Sequence, residues 1–297
     1  MSQPHSLVLQ IGQGNTPIKQ INIKKHLINV KLEYLNPSGS HKDRGLTYQM
    51  GYYVNQGFNE FVISSSGNAG ISSCLIANKF NLNLSVFISD KIPIKKKKRF
   101  EAFQNNPNIK IIETKEPKKE AIQLAKKNNA VLLRQSTSPY AYQGYVTLAS
   151  EIIKAEPKTD AIFIPTSSGT TAVGIYYYFH ALQKQCPPIH IVQTTKTHPI
   201  AKHFDTDFIV EKESLAKAIV DRVAHRKKEL IEIIKATNGS GWVISNEEIK
   251  QLLPYINREE YPTSYEGILA LAGFFKAIKK GYNFKKPLIL FTGLRDD

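Results

Sequence analysis

The sequence predicts a two-lobed α/β protein in which each lobe contains a twisted, mostly parallel sheet flanked by helices. Short apolar runs typical of buried strands alternate along the chain with segments of helical periodicity. Such alternation places parallel strands side by side and covers them with helices. The 297 residues, 41% of them hydrophobic, suffice for sizeable cores. Long excursions between the βα units divide the chain, and we expect a smaller lobe at 44–145 inserted into a larger one formed by 1–43 and 146–297.

The first half of the chain begins with an extended segment and continues in regular alternation. Residues up to about 29 predict extended backbone, 30–34 a strand, and the apolar spacing after Lys42 a helix. Further strands are expected at 61–63, 84–88, 109–112 and 131–133, and helices at 68–78, from about 95, and at 117–127.

The second half repeats the pattern less regularly. It predicts a helix at 145–153, a strand at 161–164, a helix ending near 182 and a strand at 189–192. Between 201 and 255 the periodicity is weaker, and we expect helices at 215–219, 228–234 and 246–253. An amphipathic helix at 263–279 and a buried strand at 288–291 complete the prediction.

The net charge of +15 comes from 40 Lys and Arg against 25 Asp and Glu. Most of these cations are scattered, which indicates a solvated surface. The one dense run is Lys95–Arg99, which could bind nucleic acid or serve as a nuclear-localisation patch. Because Phe100 and Phe103 follow it at helical spacing, we interpret the run as the exposed first turns of a helix and expect no nucleic-acid partner.

The composition favours a cytoplasmic protein. No apolar run has the length of a membrane span, and the N-terminus lacks the pattern of a signal peptide. Two cysteines, Cys74 and Cys186, form neither a disulfide framework nor a metal-ligand cluster, so no metal is expected. Cys74 lies in an apolar helical stretch and is predicted to be core.

Lys42 stands out because a Pro/Gly turn precedes it and a predicted helix begins at it. The free N–H groups and the dipole of a helix N-terminus disfavour an ammonium ion. A lysine placed there is expected to have a lowered pKa, as an amine nucleophile that forms a Schiff base requires. Taken alone, a single lysine in a basic chain is far more often a solvated surface residue.

Three polar segments follow predicted strands, at the sheet edge where open α/β proteins bind ligands. Ser64–Gly70 offers small donors suited to a carboxylate, and Ser167–Thr171 can direct several donors at a phosphate from a helix N-terminus. Thr292 follows the last strand. Each loop alone could be an ordinary capped turn. With Lys42, they match the requirements of pyridoxal phosphate, which is bound through its phosphate, its aldehyde and its ring nitrogen.

These residues resemble the fold-type II pyridoxal-phosphate enzymes, the tryptophan synthase β-like family. The resemblance runs from Gly14–Pro17 to Thr292-Gly293, nearly the whole chain. Its most specific block is Asn36–Gly45, which contains the Ser-x-Lys-Asp-Arg-Gly core and looks most like the threonine synthases. The resemblance implies a cofactor between two lobes, an amino-acid substrate and a homodimer.

The resemblance also implies a role for each matching residue. Lys42 would be the Schiff-base lysine and the general base, Asn68 would bond the 3′-oxygen of the cofactor, and Thr292 would face the pyridine nitrogen. The implied phosphate ligands are Ser168, Gly169, Thr170, Thr171 and Ala172. The implied contacts of the substrate carboxylate are Ser65, Ser66, Gly67 and Ala69.

The expected activity is that of a lyase similar to threonine synthase, which converts O-phosphohomoserine to threonine by elimination and replacement. A neutral Thr292 does not force protonation of the ring nitrogen, which favours this chemistry over transamination. The phosphate loop has fewer glycines than in several members, and the C-terminal segment is shorter than in threonine synthases. Cysteine synthase or serine/threonine dehydratase activity therefore remains an alternative, as does a non-catalytic binding protein that retains the fold.

Overall fold

The computed structural model describes residues 9–256 and 260–295, which form two compact units. Unit 1 contains the described residues up to Gln13 together with Asn36–Gly144. Unit 2 contains Gly14–Leu35 and the described residues between Tyr145 and Arg295. The described residues 9–13 and 36–43 thus lie in unit 1, although the larger lobe was predicted to contain them.

Strands and helices alternate through both units. The strands among the described residues are β1 (Ile18–Ile23), β2 (His26–Lys31), β3 (Glu60–Ser64), β4 (Asn83–Ser89), β5 (Ile109–Thr114), β6 (Val131–Leu132), β7 (Ala161–Pro165), β8 (Ile189–Thr194), β9 (Ser240–Ile244) and β10 (Pro287–Leu290). The α-helices among them are α1 (Lys42–Asn55), α2 (Asn68–Phe80), α3 (Ile94–Glu101), α4 (Pro117–Lys127), α5 (Val146–Ala155), α6 (Thr170–Ala181), α7 (Lys227–Ala236), α8 (Asn246–Lys250) and α9 (Tyr265–Lys279). The predicted α/β class is confirmed.

Unit 1 is built on a four-stranded sheet in the order β5-β4-β3-β6, and every pairing in it is parallel. Parallel strands covered on both faces are apolar throughout, as Phe61, Val62 and Ile63 of β3 illustrate with at most 2% exposure. Leu46 and Met50 of α1 are fully buried in the same core. Their spacing of four residues is the helical period that predicted this helix.

Unit 2 is built on a six-stranded sheet in the order β1-β2-β10-β7-β8-β9. The β1–β2 pair is an antiparallel hairpin, and the remaining pairings are parallel. Helix α9 packs closely on this sheet, since a Cβ added at Gly273 would lie 2.5 Å from Cγ2 of Val192 in β8. The β10 and β7 strands are neighbours, so their carboxyl ends lie at the same edge.

Three local predictions in unit 2 were wrong. The strand expected at 30–34 ends at Lys31 and is followed by a 3-10 turn at Glu33–Leu35. No helix forms at 215–219, where the Leu215 N–H donates to Asn246 Oδ1 and the Ala218 N–H donates to Glu266 Oε1. Strand β9 was missed because it begins with Ser-Gly, a dipeptide typical of turns.

A buried ring cluster in unit 2 surrounds His190 of β8. The imidazole is fully buried, stacks on Phe163 with ring centroids 4.6 Å apart, and accepts a hydrogen bond at Nδ1 from Trp242 Nε1 at 3.2 Å. Burial lowers the pKa of His190 to about 3. The ring is therefore neutral in the folded protein above about pH 3, whereas in the unfolded chain it becomes protonated below about pH 6.5.

We expect this histidine to make unit 2 sensitive to mild acid. Between pH 6.5 and 3 the unfolded chain binds a proton at this ring that the folded protein does not bind. The free energy of unfolding is therefore unaffected by His190 above pH 6.5 and decreases as the pH falls below 6.5. The loss should reach about 2 kcal/mol by pH 5. Urea unfolding at a series of pH values should show a shallower pH dependence for His190→Phe. The same change at the exposed His225 is the control, and equal slopes in the two variants would contradict the assignment.

None of the helices among the described residues has both the length and the apolar character needed to cross a membrane.

Candidate active site

Helix α1 begins at Lys42, as predicted, and the residues before it form a tight turn. The Lys42 N–H donates to Ser40 Oγ at 3.2 Å, and the Ser38 N–H donates to the buried Asp43 Oδ2 at 2.8 Å. The backbone at the start of α1 also lies against residue 144, since a Cβ on Gly144 would sit 2.0 Å from the Arg44 carbonyl oxygen. The position of Lys42 therefore follows from the hydrogen bonds of the turn before it and from the packing of Arg44 against Gly144 after it.

The Lys42 amine has the property that a Schiff-base lysine requires. Burial lowers its pKa from the usual 10.5 to about 8. The direction is the predicted one, but its cause is burial and not the helix N-terminus. Because desolvation disfavours the ammonium form, a larger fraction of the amine is unprotonated near neutral pH than for an exposed lysine.

The second predicted segment, Ser64–Gly70, follows β3 and leads into α2, which begins at Asn68. The first α-helical bond runs from the Ile71 N–H to the Gly67 carbonyl, so the amides of Asn68 and Ala69 have no intrahelical acceptor. No acidic residue lies in the first turn, which suits a carboxylate ligand.

Two serine hydroxyls of this segment also have structural partners. Ser66 Oγ accepts from the Ser89 N–H at 3.1 Å, and Ser65 Oγ accepts from the Gly67 N–H at 3.3 Å. Gly70 allows the segment to close on itself, because a Cβ there would lie 2.3 Å from the Ser65 carbonyl oxygen. The segment is thus held in one conformation by its own small residues.

A residue that the sequence analysis did not assign to the site contacts Asn68. The Arg99 guanidinium of α3 donates from Nη1 to Asn68 Oδ1 at 2.9 Å and from Nη2 to the Ser38 carbonyl at 2.8 Å. The preceding run had been interpreted as solvated, and its members Lys95 and Lys98 are indeed exposed. Arg99 is partly buried, and its long side chain reaches segments that are distant in sequence.

The predicted phosphate loop lies in unit 2, between β7 and the N-terminus of α6. Gly169 adopts φ of +84°, and a Cβ there would also meet Leu230 Cδ1 at 1.9 Å, so only glycine fits. Thr170 and Thr171 are 3% and 8% exposed, and Ser168 Oγ lies 2.9 Å from Thr170 Oγ1. The first turn of α6 contains no acidic residue.

Thr292 is buried and lies two residues beyond the end of β10, at the sheet edge from which the loop after β7 also emerges. The structure therefore brings Thr292 and the 166–169 loop to one edge of the unit 2 sheet. Close by, the Ser264 N–H donates to the Gly293 carbonyl at 2.7 Å. The hydroxyls of Thr263 and Ser264 are buried and have no hydrogen-bond partner within the described residues.

These features fit pyridoxal phosphate. A helix start without acids and with buried hydroxyls suits a dianionic phosphate, and the buried polar atoms around Thr292 suit a polar ring edge. Lys42 supplies an amine of lowered pKa. The cysteines offer no competing nucleophile, because burial raises the pKa of both Cys74 and Cys186 to about 12.

Comparison with known proteins shows the family to which the chain belongs. The sequence profile of the family described as "Pyridoxal-phosphate dependent enzyme" matches residues 9–293. The chain belongs to this family. Its fold is the fold-type II arrangement, its cofactor is pyridoxal 5′-phosphate, and it is a member of an enzyme family.

Individual relatives in this family carry out different reactions. A threonine synthase from Bacillus sp. (strain ULM1) is 26% identical over 284 residues, covering 92% of this chain and 80% of the relative. An L-serine dehydratase/L-threonine deaminase from Mus musculus is 26% identical over 175 residues, covering 57% of this chain and 52% of the relative. The structure of maize serine racemase aligns with a TM-score of 0.79 at 18% identity, covering 95% of this chain and 88% of that one. The comparisons thus establish the family and the fold, and they include relatives that act on different substrates.

Proposed function

We propose that this pyridoxal-phosphate enzyme is a threonine synthase-like lyase that acts on O-phosphohomoserine. The observation that carries the proposal is the Ser40–Gly45 block at the start of α1, with a buried amine of lowered pKa at Lys42. Support also comes from the similarity to a threonine synthase over most of both chains. The neutral hydroxyl of Thr292 suits elimination and replacement.

Lys42 is the residue that anchors the cofactor and moves the proton. With its pKa near 8, the Nζ atom can accept the α-proton of the amino acid and later return it. Pyridoxal phosphate supplies the electron sink that stabilises the resulting negative charge. The protein contributes the position of Nζ, which follows from the turn bonded to Ser40 and Asp43.

The remaining segments bind and orient. The Asn68 and Ala69 amides at the start of α2 and the serine hydroxyls of the Ser65–Gly67 segment, which can still donate their own protons, bind the substrate carboxylate. Asn68 also bonds the 3′-oxygen of the cofactor. Ser168, Gly169, Thr170, Thr171 and Ala172 bind the cofactor phosphate at the start of α6. Thr292 donates to or accepts from the ring nitrogen without adding charge. We also propose a homodimer, which analytical ultracentrifugation would test.

Serine/threonine dehydratase activity is the second candidate, because a mammalian enzyme of that name is equally identical over its shorter match. Cysteine synthase activity stays open on the same chemistry. Side-by-side assays separate the three: phosphate release from O-phosphohomoserine, 2-oxo acid from serine or threonine, and cysteine from O-acetylserine with sulfide. We expect O-phosphohomoserine to have the highest kcat/KM. Turnover of another substrate alone would reject threonine synthase. A protein that binds the cofactor and turns over none of them would support the non-catalytic alternative.

We expect the phosphate loop to dominate cofactor retention. Replacing Thr170 and Thr171 with Val preserves their shape in a buried site but removes two hydroxyls. Since a hydrogen bond to a charged group contributes roughly 1.5–3 kcal/mol, the affinity for pyridoxal phosphate should fall about tenfold or more. Titration of apoprotein measures this.

Thr206→Val, at an exposed position of unit 2, is the matched control and should leave the affinity unchanged. If the double variant and the control bind the cofactor equally well, the phosphate site lies elsewhere.

A further inference from the structure

We propose that Arg99 is a positioning residue of the cofactor site, acting through the Asn68 amide and the turn before Lys42. The inference rests on the proposed contact between Asn68 and the 3′-oxygen of pyridoxal phosphate. Arg99 is the last residue of the basic run Lys95–Arg99, and in this proposal it supports the site and is not merely a surface charge.

The geometry is that of one planar group joining two segments. Arg99 Nη1 donates to Asn68 Oδ1 at 2.9 Å, and Arg99 Nη2 donates to the Ser38 carbonyl at 2.8 Å. Asn68 is the first residue of α2, and Ser38 is four residues before Lys42. A guanidinium can satisfy both acceptors because its donors lie in a rigid fork, whereas a lysine ammonium is a point donor on a flexible stem.

The contact with Arg99 determines which end of the Asn68 amide is presented to a ligand. Oδ1 accepts from a cation, so the remaining end of the amide is the donor Nδ2. A donor is the partner that the electron-rich 3′-oxygen of the cofactor requires. The positive charge also polarises the amide, which strengthens the bond that Nδ2 can donate.

The packing of α3 keeps Arg99 in reach. Its neighbour Phe100 is 1% exposed, and its ring lies against Gly70, where an added Cβ would be 3.0 Å from Phe100 Cζ. Arg99 also lies in the last turn of α3, where a cation interacts favourably with the helix dipole. Lys98 lies in the same last turn, but its side chain is exposed.

The test compares Arg99→Met, Arg99→Lys and the control Lys98→Met in the full-length protein. Cofactor affinity is measured by titration of apoprotein, and the absorbance spectrum of the holoprotein is recorded against pH. We expect Arg99→Met to weaken affinity about tenfold, as loss of a charge-assisted contact does, and to lower the ratio of visible to near-ultraviolet absorbance. The absorbance ratio should fall because a less well-bonded 3′-oxygen takes up a proton. Arg99→Lys should recover part of both effects, and Lys98→Met should show neither.

A second comparison separates positioning from general stability. In an Asn68→Ala background, Arg99→Met should change the spectrum much less than in the unsubstituted protein, since the amide it orients is gone. An unaltered spectrum and affinity in Arg99→Met, or an equal spectral change with and without Asn68, would overturn the proposal. These readouts need no turnover, so failure of the threonine synthase assay leaves them interpretable.

Discussion

Lys42→Ala should give a protein that folds but is colourless after treatment with pyridoxal phosphate and removal of the unbound cofactor, and that has lost catalysis. The amine is the only group among the proposed site residues that can both link to the aldehyde and carry a proton at neutral pH, since burial lowers its pKa to about 8. Loss of a positioned proton-transfer group alone costs about 10²–10⁴-fold in rate. The loss should exceed that range here, because the covalent anchor disappears with it. Visible absorbance and the assay of the best substrate measure the two effects.

Borohydride reduction of the unsubstituted holoprotein provides a direct complement. Peptide mapping should place the pyridoxyl group on Lys42, and a label on any other lysine would overturn the assignment. Lys118→Ala, at an exposed position of α4, is the matched control and should retain colour and activity.

Lys31→Met should cause the largest loss of stability. Lys31 is 1% exposed, its Nζ lies 2.6 Å from Glu151 Oε2, and it also donates to the Thr16 carbonyl. Removing it leaves a carboxylate that is only 18% exposed without this cation. Breaking a buried ion pair costs about 3–5 kcal/mol, and we expect about 3 kcal/mol because Glu151 retains some access to water. Urea unfolding gives the free energy of unfolding.

The matched control is Lys97→Met, which removes the cation of another Lys–Glu pair. That pair, with Glu113, is 44% and 38% exposed, so its loss should cost less than about 1 kcal/mol. Adding Glu151→Gln to Lys31→Met should recover part of the loss, because the stranded charge is removed while an acceptor for the Asn15 N–H remains. Equal destabilisation by Lys31→Met and Lys97→Met would contradict the buried-pair interpretation.

The sequence by itself determined the class of fold, the family and the cofactor. Local sequence patterns predict the parallel strands and the helices that cover them: apolar runs predict the strands, and a period of 3.6 residues predicts the helices. The ligand segments are also local, since each is a short run of small and polar residues between one strand and one helix. Lys42 and Asn68 therefore begin helices as predicted.

The tertiary structure alone decided the contacts that join distant parts of the chain. The 215–219 segment has helical spacing but is irregular, and two of its N–H groups donate to the side chains of Asn246 and Glu266. Lys31 has the sequence signature of a surface residue but is buried against Glu151, which lies 120 residues further along the chain. Arg99 is part of a basic run in the sequence, but in the structure its guanidinium donates a hydrogen bond to Asn68. In each case the partner is remote in sequence. Local periodicity does not predict these contacts, because they form only when helices and loops pack on the sheets.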